Sequence, residues 1–305
     1  RLVGSEMCIR DRHRFGVTQR KLLREKGNLA NLIVMSATPI PRSLALTIYG
    51  DLDVSIIDEL PAGRMPIKTK WIKDETERQK MYNFIAKKIK EGRQAYVVSP
   101  LIEESETLNV KSAQETFEEY SKIFPDRRIG LIHGKQNYKE KQEVMRKFKN
   151  HEFDILISTT VIEVGVNVPN ASIMVIRDAQ RFGLSSLHQL RGRVGRGQYQ
   201  SYCFLESETD NELSARRLEV MEKTTDGFKI AEEDLKLRNS GEIMGTRQSG
   251  VSDMVLTDIV KNVKEIKYIR DYVVKYLEQN NGKIKNEYLR LDIYEKFHKK
   301  GKIEN

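Results

Sequence analysis

Short apolar runs rich in β-branched residues alternate with amphipathic stretches between residues 95 and 205. Such runs are typical of strands buried in a parallel sheet, and the amphipathic stretches are typical of the helices that connect them. The alternation therefore predicts an α/β domain built from βαβ units. The predicted strands are Ala95–Ser99, Arg128–His133, Asp154–Thr159, Ser172–Arg177 and Ser201–Leu205. The predicted helices are Lys111–Ile123, Tyr138–Asn150 and Ser185–Arg191.

Further elements are predicted on both sides of this domain. Asn31–Ser36 has the pattern of a buried strand and is interpreted as part of a second sheet. Glu59–Lys68 contains two prolines and a glycine, which favours a linker. The remaining predicted helices are Glu75–Glu91, a hairpin of Glu212–Glu222 and Phe228–Arg238 around Asp226-Gly227, and an amphipathic helix within Leu256–Leu277.

The composition narrows the kinds of partner. A net charge of +9 suits a polyanion such as nucleic acid. No apolar run approaches the roughly 18 residues that cross a bilayer, so we expect no membrane contact and a cytoplasmic location. Cys8 and Cys203 share no pairing motif, and the histidines lack metal-ligand spacing. We therefore predict neither a disulfide nor a structural metal.

The most specific motif is Gln189-Leu-Arg-Gly-Arg-Val-Gly-Arg196, which overlaps the end of a predicted helix. Glycine lets the backbone approach a ligand closely, and arginine binds phosphoryl oxygens through a planar, permanently charged group. An arginine can also neutralise charge on a γ-phosphoryl group during transfer. A solvated basic turn is the alternative, and it explains such an ordered string poorly. The motif therefore indicates a phosphate site.

A second motif, Ser158-Thr-Thr-Val-Ile-Glu-Val-Gly-Val-Asn-Val-Pro169, starts where a predicted strand ends. Hydroxyls and backbone amides there could bind phosphate, and Glu163 could position a neighbouring arginine. Val161 and Val164 are interpreted as core residues. Ligands of open α/β sheets bind at the carboxyl ends of the strands, which is where both motifs are predicted to lie.

These two motifs resemble motifs V and VI of superfamily 2 helicases, and their detail resembles the RecG family. The resemblance covers most of the chain, from about His13 to about Tyr268. It implies a RecA-like parallel-sheet helicase C-terminal domain, with part of a first RecA-like domain and a C-terminal helical hairpin region. Its other markers are Ser36-Ala-Thr-Pro-Ile-Pro-Arg42, the run from Gly50 to Pro61, the run from Val97 to Glu104, Leu131-Ile-His-Gly134 and Gly245-Thr-Arg-Gln-Ser-Gly250.

The resemblance implies a role for each matching position. Arg193, Arg196 and Gln189 match the catalytic motif VI, which faces the nucleotide across the cleft between two motor halves. Positions that match motif III, which couples nucleotide state to DNA grip, are Ser36, Ala37 and Thr38. Positions implied near the nucleotide are Glu163, Gly165, Asn167 and Gly192. Positions implied in DNA binding and translocation are Thr159, His133, Gly134, Gly245, Thr246, Arg247 and Gln248.

Some positions leave alternatives open or depart from the family pattern. His133 closes a strand, so a capped core histidine is an alternative to DNA contact. Arg216 and Arg217 are interpreted as solvated helix charges. Asn167 stands where the family usually has aspartate, which puts a charge-dependent role there in doubt. The run Arg177-Asp-Ala-Gln180 differs from the usual Glu-Asn-Ala-Glu, and the sequence offers no physical reason for the change.

The implied activity is that of an ATP- and Mg²⁺-dependent helicase acting on branched and double-stranded DNA, with single-stranded DNA-binding protein as a further partner. However, the P-loop pattern is absent, and Arg10-Asp11 stands where the family has Asp-Glu. We therefore interpret the chain as a C-terminal fragment behind an unrelated leader. We expect ATP and Mg²⁺ to be bound mainly by the absent N-terminal half, and the chain alone to be an inactive monomer.

The resulting domain prediction has six parts: a leader (1–12), a remnant of the first RecA-like domain (13–58), a linker and first strand (59–74), the second RecA-like domain (75–206), the hairpin region (207–278) and a basic tail (279–305). Two alternative functions remain. One is a double-stranded DNA translocase like the transcription-repair coupling factor, although the run at 51–61 and Thr246-Arg247 argue against it. The other is a non-catalytic DNA-binding module.

Overall fold

The computed structural model describes residues 55, 57, 59, 63–100, 106–159, 168–244 and 263–298. Residues from 57 to 244 belong to one compact unit, and residues from 263 to 298 belong to another. The strand predicted at Asn31–Ser36 and the motif at Ser36, Ala37 and Thr38 lie outside the described residues.

The first unit is built on a six-stranded sheet in which every neighbouring pair is parallel. Its strands are β1 (Lys68–Ile72), β2 (Gln94–Val98), β3 (Ile129–Ile132), β4 (Ile155–Ser158), β5 (Ala171–Ile176) and β6 (Tyr202–Glu206). Their order across the sheet is β1-β6-β5-β2-β4-β3. Because all the strands run in one direction, their carboxyl ends meet at one edge, where ligands of such sheets bind.

Helices alternate with the strands along this unit. They are α1 (Glu75–Lys90), α2 (Glu106–Ile123), α3 (Tyr138–Lys149), α4 (Leu184–Arg191), α5 (Glu212–Lys223) and α6 (Gly227–Met244), with a short 3₁₀ helix at Ala179–Arg181. Side chains define where several of them begin. Asn137 and Glu140 form a capping box at the start of α3, and Asp74 accepts the Glu77 amide at the start of α1.

The core has two layers, one on each face of the sheet. Alternate residues of a strand point to opposite faces, so Val97 packs against α1 and α2, whereas Tyr96 and Val98 pack on the side of α3, α4, α5 and α6. Strands β2, β4 and β5 are buried along their whole length. Burial on both faces explains why these strands are continuous apolar runs.

The structure confirms the predicted α/β fold and places the five predicted strands and the helices between them within a few residues. β1 lies within 59–74, where a linker and first strand were predicted, and it pairs with β6 at the edge of the sheet. The predicted helical hairpin is α5 and α6, and α6 is longer than predicted.

The described residues of the second unit form two helices, α7 (Val263–Gln279) and α8 (Glu287–His298). α7 corresponds to the helix predicted within Leu256–Leu277. The sequence predicted no element in the tail at 279–305, yet α8 forms there; its apolar residues Tyr288, Leu289 and Leu291 are exposed. The apolar residues of α8 are spread around the helix, so the sequence carries no apolar stripe that predicts this helix. No helix among the described residues has the length and apolar character needed to span a membrane.

An ion-pair network at the carboxyl ends of β5 and β6 accounts for the unusual arginine at position 177. The Arg177 Nη1 atom donates to Glu119 Oε2 at 2.6 Å, and its Nε lies 3.4 Å from Glu206 Oε2. Burial disfavours a charged Arg177, yet Glu206 and Glu119 hold its pKa above the ordinary value. Burial raises the pKa of Glu206 from 4.5 to about 7, although Arg177 opposes the shift. Arg177 is therefore the counter-charge of a buried glutamate.

This network generates a prediction about stability and pH. Because the pKa of Glu206 is higher in the folded state, its contribution is fully present below pH 4.5 and is lost as the pH rises through about 7. A shift of this size corresponds to about 3 kcal/mol. We expect Glu206→Gln to remove that part of the fall in unfolding free energy between pH 5 and pH 8, measured by urea denaturation. The exposed Glu118→Gln is the matched control, and an unchanged pH profile in Glu206→Gln would contradict the assignment.

Candidate functional site

The arginine motif forms a loop that leaves the end of α4. Leu184, Leu187 and Leu190 anchor α4 in the core, and the Gly192 amide closes the helix by donating to the His188 carbonyl at 3.0 Å. Beyond it, Val194 is completely buried. Gln189, Gly192 and Arg193 are half-buried, whereas Arg196 is exposed and its Nε donates to the Gly192 carbonyl at 3.3 Å. The loop at 192–197 is named the arginine loop. Val194 thus anchors it between Arg193 and Arg196, the two arginines predicted to face the nucleotide.

Two glycines fix the shape of the arginine loop. Gly195 has a φ of +77°, in the left-handed region that favours glycine, and its carbonyl accepts the Arg64 Nε–H at 3.0 Å. At Gly197 an added Cβ would lie 2.3 Å from the carbonyl oxygen of Pro169. The backbone of the loop therefore lies directly against the last residue of the second predicted motif. The structure brings the ends of the two motifs together, whereas Glu163, Gly165 and Asn167 lie outside the described residues.

The arginine loop carries positive charge that the described residues only partly offset. Arg193 forms no salt bridge with any carboxylate in the part of the chain that the structure describes. Burial raises the pKa of Tyr96 to about 12, and both Arg193 and Arg196 oppose this shift. Both arginines therefore act on the same region above β2. A permanently charged guanidinium group without a carboxylate partner among the described residues, such as that of Arg193, is suited to an anionic ligand such as phosphate.

Other predicted residues lie at the carboxyl ends of neighbouring strands. β3 and β4 are paired, with Ile132 opposite Ser158, so His133 and Thr159 follow the two strand ends at the same edge. Thr159 is buried, and an added Cβ on Gly134 would meet nothing within 4 Å. The backbone at Gly134 is therefore open to a ligand.

The loop at His133 is held by neighbouring side chains. The His133 amide donates to Gln136 Oε1, and Gln136 Nε2 donates to the Leu131 carbonyl, both at 3.1 Å. Burial lowers the pKa of His133, and Lys141 adds to the effect, so the ring is neutral at pH 7. Its Nδ1 is buried without a hydrogen-bond partner among the described residues. Gln136 thus caps the backbone at His133, whereas no described residue caps the ring; the core role and the DNA contact both stay predictions.

Arg191 belongs to the arginine motif, and the sequence predicted no role for it. It is almost fully buried, and its Nη1 donates to the carbonyls of Met221 at 2.8 Å and Thr224 at 2.9 Å, at the end of α5. Its Nη2 lies 3.2 Å from His188 Nδ1, and burial lowers its pKa. These hydrogen bonds of Arg191 therefore connect α4, the helix that leads into the arginine loop, to α5 of the helical hairpin. The signal was its spacing, since Arg191 lies on the same helix face as Leu184 and Leu187.

The hairpin of α5 and α6 packs directly on α4. Leu218 and Met221 of α5 and Ile230 of α6 share one core layer with the leucines of α4. In the turn, Asp226 Oδ1 accepts the Phe228 amide at 2.9 Å. Arg216 is exposed and reaches Glu212 only at 3.9 Å, consistent with a solvated charge. The predicted translocation residues Gly245, Thr246, Arg247 and Gln248 lie outside the described residues.

Comparison with known families defines the class of protein first. Residues 76–198 match the helicase conserved C-terminal domain, which includes the sheet from β2 to β5 and the arginine loop. Residues 224–304 match the model described as ATP-dependent DNA helicase RecG, domain 3, C-terminal, which begins in the hairpin turn. The predicted helicase fold is confirmed.

Individual relatives then identify the family. The ATP-dependent DNA helicase RecG of Streptococcus pneumoniae is 51% identical over 271 residues, which cover 88% of this chain and 40% of the relative. The RecG of Aquifex aeolicus is 58% identical over 250 residues, which cover 80% of this chain and 31% of the relative. A solved structure of RecG bound to a three-way DNA junction is 45% identical, with a TM-score of 0.64, and covers 83% of this chain and 32% of that chain.

The chain therefore belongs to the RecG family, as its motifs predicted. It spans about 40% of the length of the curated relatives that it matches.

The contact between Gly197 and Pro169 generates a second prediction. A methyl group at 197 would collide with backbone that cannot move like a flexible side chain, so we expect Gly197→Ala to lower the free energy of unfolding by about 1–3 kcal/mol. Gly134→Ala is the control, since an added Cβ there meets open space. Chemical denaturation of the two variants checks this. Equal stability of both would mean that the arginine loop does not lie against Pro169.

Arg191 generates a third prediction. Arg191→Met keeps an apolar stem but leaves the Met221 and Thr224 carbonyls without this donor, so we expect a loss of about 2–4 kcal/mol in unfolding free energy. The chain has one tryptophan, Trp71, whose amide donates to Glu222 of α5 at 3.1 Å. Its fluorescence should therefore report a shifted hairpin in this variant. Arg216→Met, at an exposed position, is the control. If Arg191→Met were as stable as the parent chain and its fluorescence were unchanged, Arg191 would not be the residue that connects α4 to α5.

Proposed function

We propose that this chain is the second motor half of an ATP-dependent DNA helicase that unwinds and remodels branched DNA. The observation that carries the proposal is the arginine loop, which holds Arg193 and Arg196 on a backbone fixed by the Gly197–Pro169 contact. Positive groups held rigidly at one place stabilise charge that develops on a phosphoryl group, because they need no reorganisation during the reaction. The RecG name of the relatives supports the same activity.

In this proposal the two arginines contact the γ-phosphate of ATP. ATP, when bound, would supply the phosphoanhydride bond whose hydrolysis drives the motor, and Mg²⁺ would neutralise charge on its phosphates. Arg193 fits this anion because no described carboxylate neutralises it. Gln189 and Gly192 position the loop, and the residues proposed to lie beside them outside the described part are Glu163, Gly165 and Asn167. The sequence contains no P-loop, so we propose that the nucleotide is bound mainly by another motor half and that this chain alone hydrolyses no ATP.

DNA contact is assigned to the strand ends and to the region beyond the hairpin. Gly134 offers open backbone, and His133 and Thr159 lie at the same edge of the sheet. The hydrogen bonds of Arg191 supply a rigid connection through which a change at the arginine loop reaches α5. Movement along DNA is then assigned to Gly245, Thr246, Arg247 and Gln248, and coupling to Ser36, Ala37 and Thr38. A cytoplasmic monomer that meets single-stranded DNA-binding protein completes the proposal.

A specific observation favours this family over the transcription-repair coupling factor. The match at residues 224–304 is to a domain described by the RecG name, and it covers the hairpin turn and both helices of the second unit. A non-catalytic DNA-binding module is the remaining alternative. The helicase proposal and this alternative differ in whether the arginine loop is needed for ATP turnover.

A chimaera tests the role of the arginine loop. In it, this chain replaces the matching stretch of the Streptococcus pneumoniae relative, which supplies the other motor half. We expect Arg196→Ala to lower DNA-stimulated ATP turnover by about a thousandfold, because an arginine that stabilises the transferring phosphoryl group contributes at least that much. DNA affinity should stay within about twofold, since the arginine contacts the nucleotide.

The control is Arg216→Ala, which removes an equal charge from an exposed helix position. It should leave both turnover and DNA affinity unchanged. If Arg196→Ala weakened DNA binding as strongly as turnover, the loop would be a DNA site instead. If turnover were unaffected, the non-catalytic alternative would stand.

A further inference from the structure

A second polar site lies at the carboxyl ends of β5 and β6, where the start of α1 meets them. It is a cavity of about 320 Å³ whose lining includes Arg78, Arg177, Gln180 and Glu206. No residue of the arginine loop lines it. The cavity is therefore not part of the site proposed for the nucleotide.

Several buried polar atoms at this cavity have no hydrogen-bond partner among the described residues. Glu206 and Ser207 are both only 4% exposed, and Glu206 Oε1 and Ser207 Oγ are unpartnered. Gln180 Oε1 and Arg78 Nε are unpartnered as well. Buried polar atoms are nearly always paired, and leaving one unpaired costs about 1–3 kcal/mol. Four such atoms at one cavity indicate a bound group that completes hydrogen bonds with several of them, the two acceptor oxygens of Glu206 and Gln180 first.

The charges at the cavity indicate the sign of that group. Arg78 is already paired with Glu75 and Glu208, the latter at 2.7 Å. Arg177 is paired with Glu119 and Glu206. The lining itself carries two arginines and three carboxylates, those of Asp178, Glu206 and Glu208. Both arginines are thus neutralised. Glu75 and Glu119 add two carboxylates beside the lining, so a negative excess remains even where Glu206, whose pKa is raised to about 7, is partly protonated. This excess disfavours an anion such as a DNA phosphate.

The unpartnered atoms also indicate the hydrogen-bonding character of the group. Glu206 Oε1 and Gln180 Oε1 are acceptors, so they need N–H or O–H donors. No group of three or more metal-ligating side chains in the described part of the chain is arranged to hold a metal ion. At about 320 Å³ the cavity is at the small end of ligand sites, with room for one long side chain or a small molecule.

We infer that this cavity binds an aliphatic cation that donates N–H bonds, a guanidinium or ammonium group, with Glu206 and Gln180 as its acceptors. Such a group could be a free small amine or an arginine or lysine side chain of a protein segment. The inference does not depend on the proposed helicase function, since it concerns other residues and is tested without ATP or DNA.

Calorimetric titration of the 305-residue chain with agmatine tests the inference, because agmatine carries both cationic groups and no carboxylate. We expect saturable binding that Glu206→Gln weakens about tenfold, the effect of one hydrogen bond to a charged group. Gln180→Glu adds a carboxylate in nearly the same shape and should strengthen binding by a similar factor. Glu118→Gln, at an exposed position on α2, should bind agmatine as the parent chain does.

Two further ligands complete the experiment. A short peptide with one arginine and blocked termini distinguishes the sources: tighter binding than agmatine indicates a protein side chain, and weaker binding a free amine. Inorganic phosphate should not compete with agmatine. The inference is overturned if agmatine does not bind the folded parent chain, if Glu206→Gln and Gln180→Glu bind it as tightly as the parent, or if phosphate displaces it.

Discussion

The central strands are buried on both faces, and this burial determines where the helices and the arginine loop lie. β2, β4 and β5 have no exposed residue, so each face of the sheet needs a helical cover. On one face α1 and α2 supply it. On the other, α4 and the hairpin of α5 and α6 supply it together with α3. The arginine loop therefore starts from a helix that the core holds in place, and the hairpin is part of that same core.

Arginine plays three different roles within this one domain, and its surroundings decide which. Arg191 is buried among backbone carbonyls, so burial lowers its pKa and its hydrogen bonds join two helices. Arg177 is buried among carboxylates, which raise its pKa and make it a counter-charge. Arg193 has neither kind of partner among the described residues, and we propose that it serves a ligand. A permanent charge suits all three roles because it survives burial.

The arginine loop and the cavity beside β6 differ in the sign of their charge. The chain is basic overall, and the loop at 192–197 carries positive groups above β2. The cavity beside β6 is instead acidic, and its arginines are already paired. A protein that binds polyanions on one surface and offers carboxylates on another can hold partners of opposite charge at the same time, because the two sites do not compete for one ligand.

The amino-acid sequence alone predicted the strands, the helices between them, the hairpin turn at Asp226 and the family. These follow from local signals: apolar periodicity, turn residues and the order of motif letters, all of which are readable without knowing what touches what. It missed α8, whose apolar residues are spread around the helix and form no stripe. It also gave no reason for Arg177 and no role for Arg191.

Those roles come from tertiary contacts, because they depend on partners that are distant in the sequence. Glu206 and Glu119 make Arg177 a counter-charge, and the carbonyl of Thr224 makes Arg191 a connector. The need for glycine at 197 likewise comes from Pro169, which the fold brings to 2.3 Å from the position of a Cβ. Hydrogen bonds, burial and collisions of this kind act through space, so a pattern along the chain does not contain them.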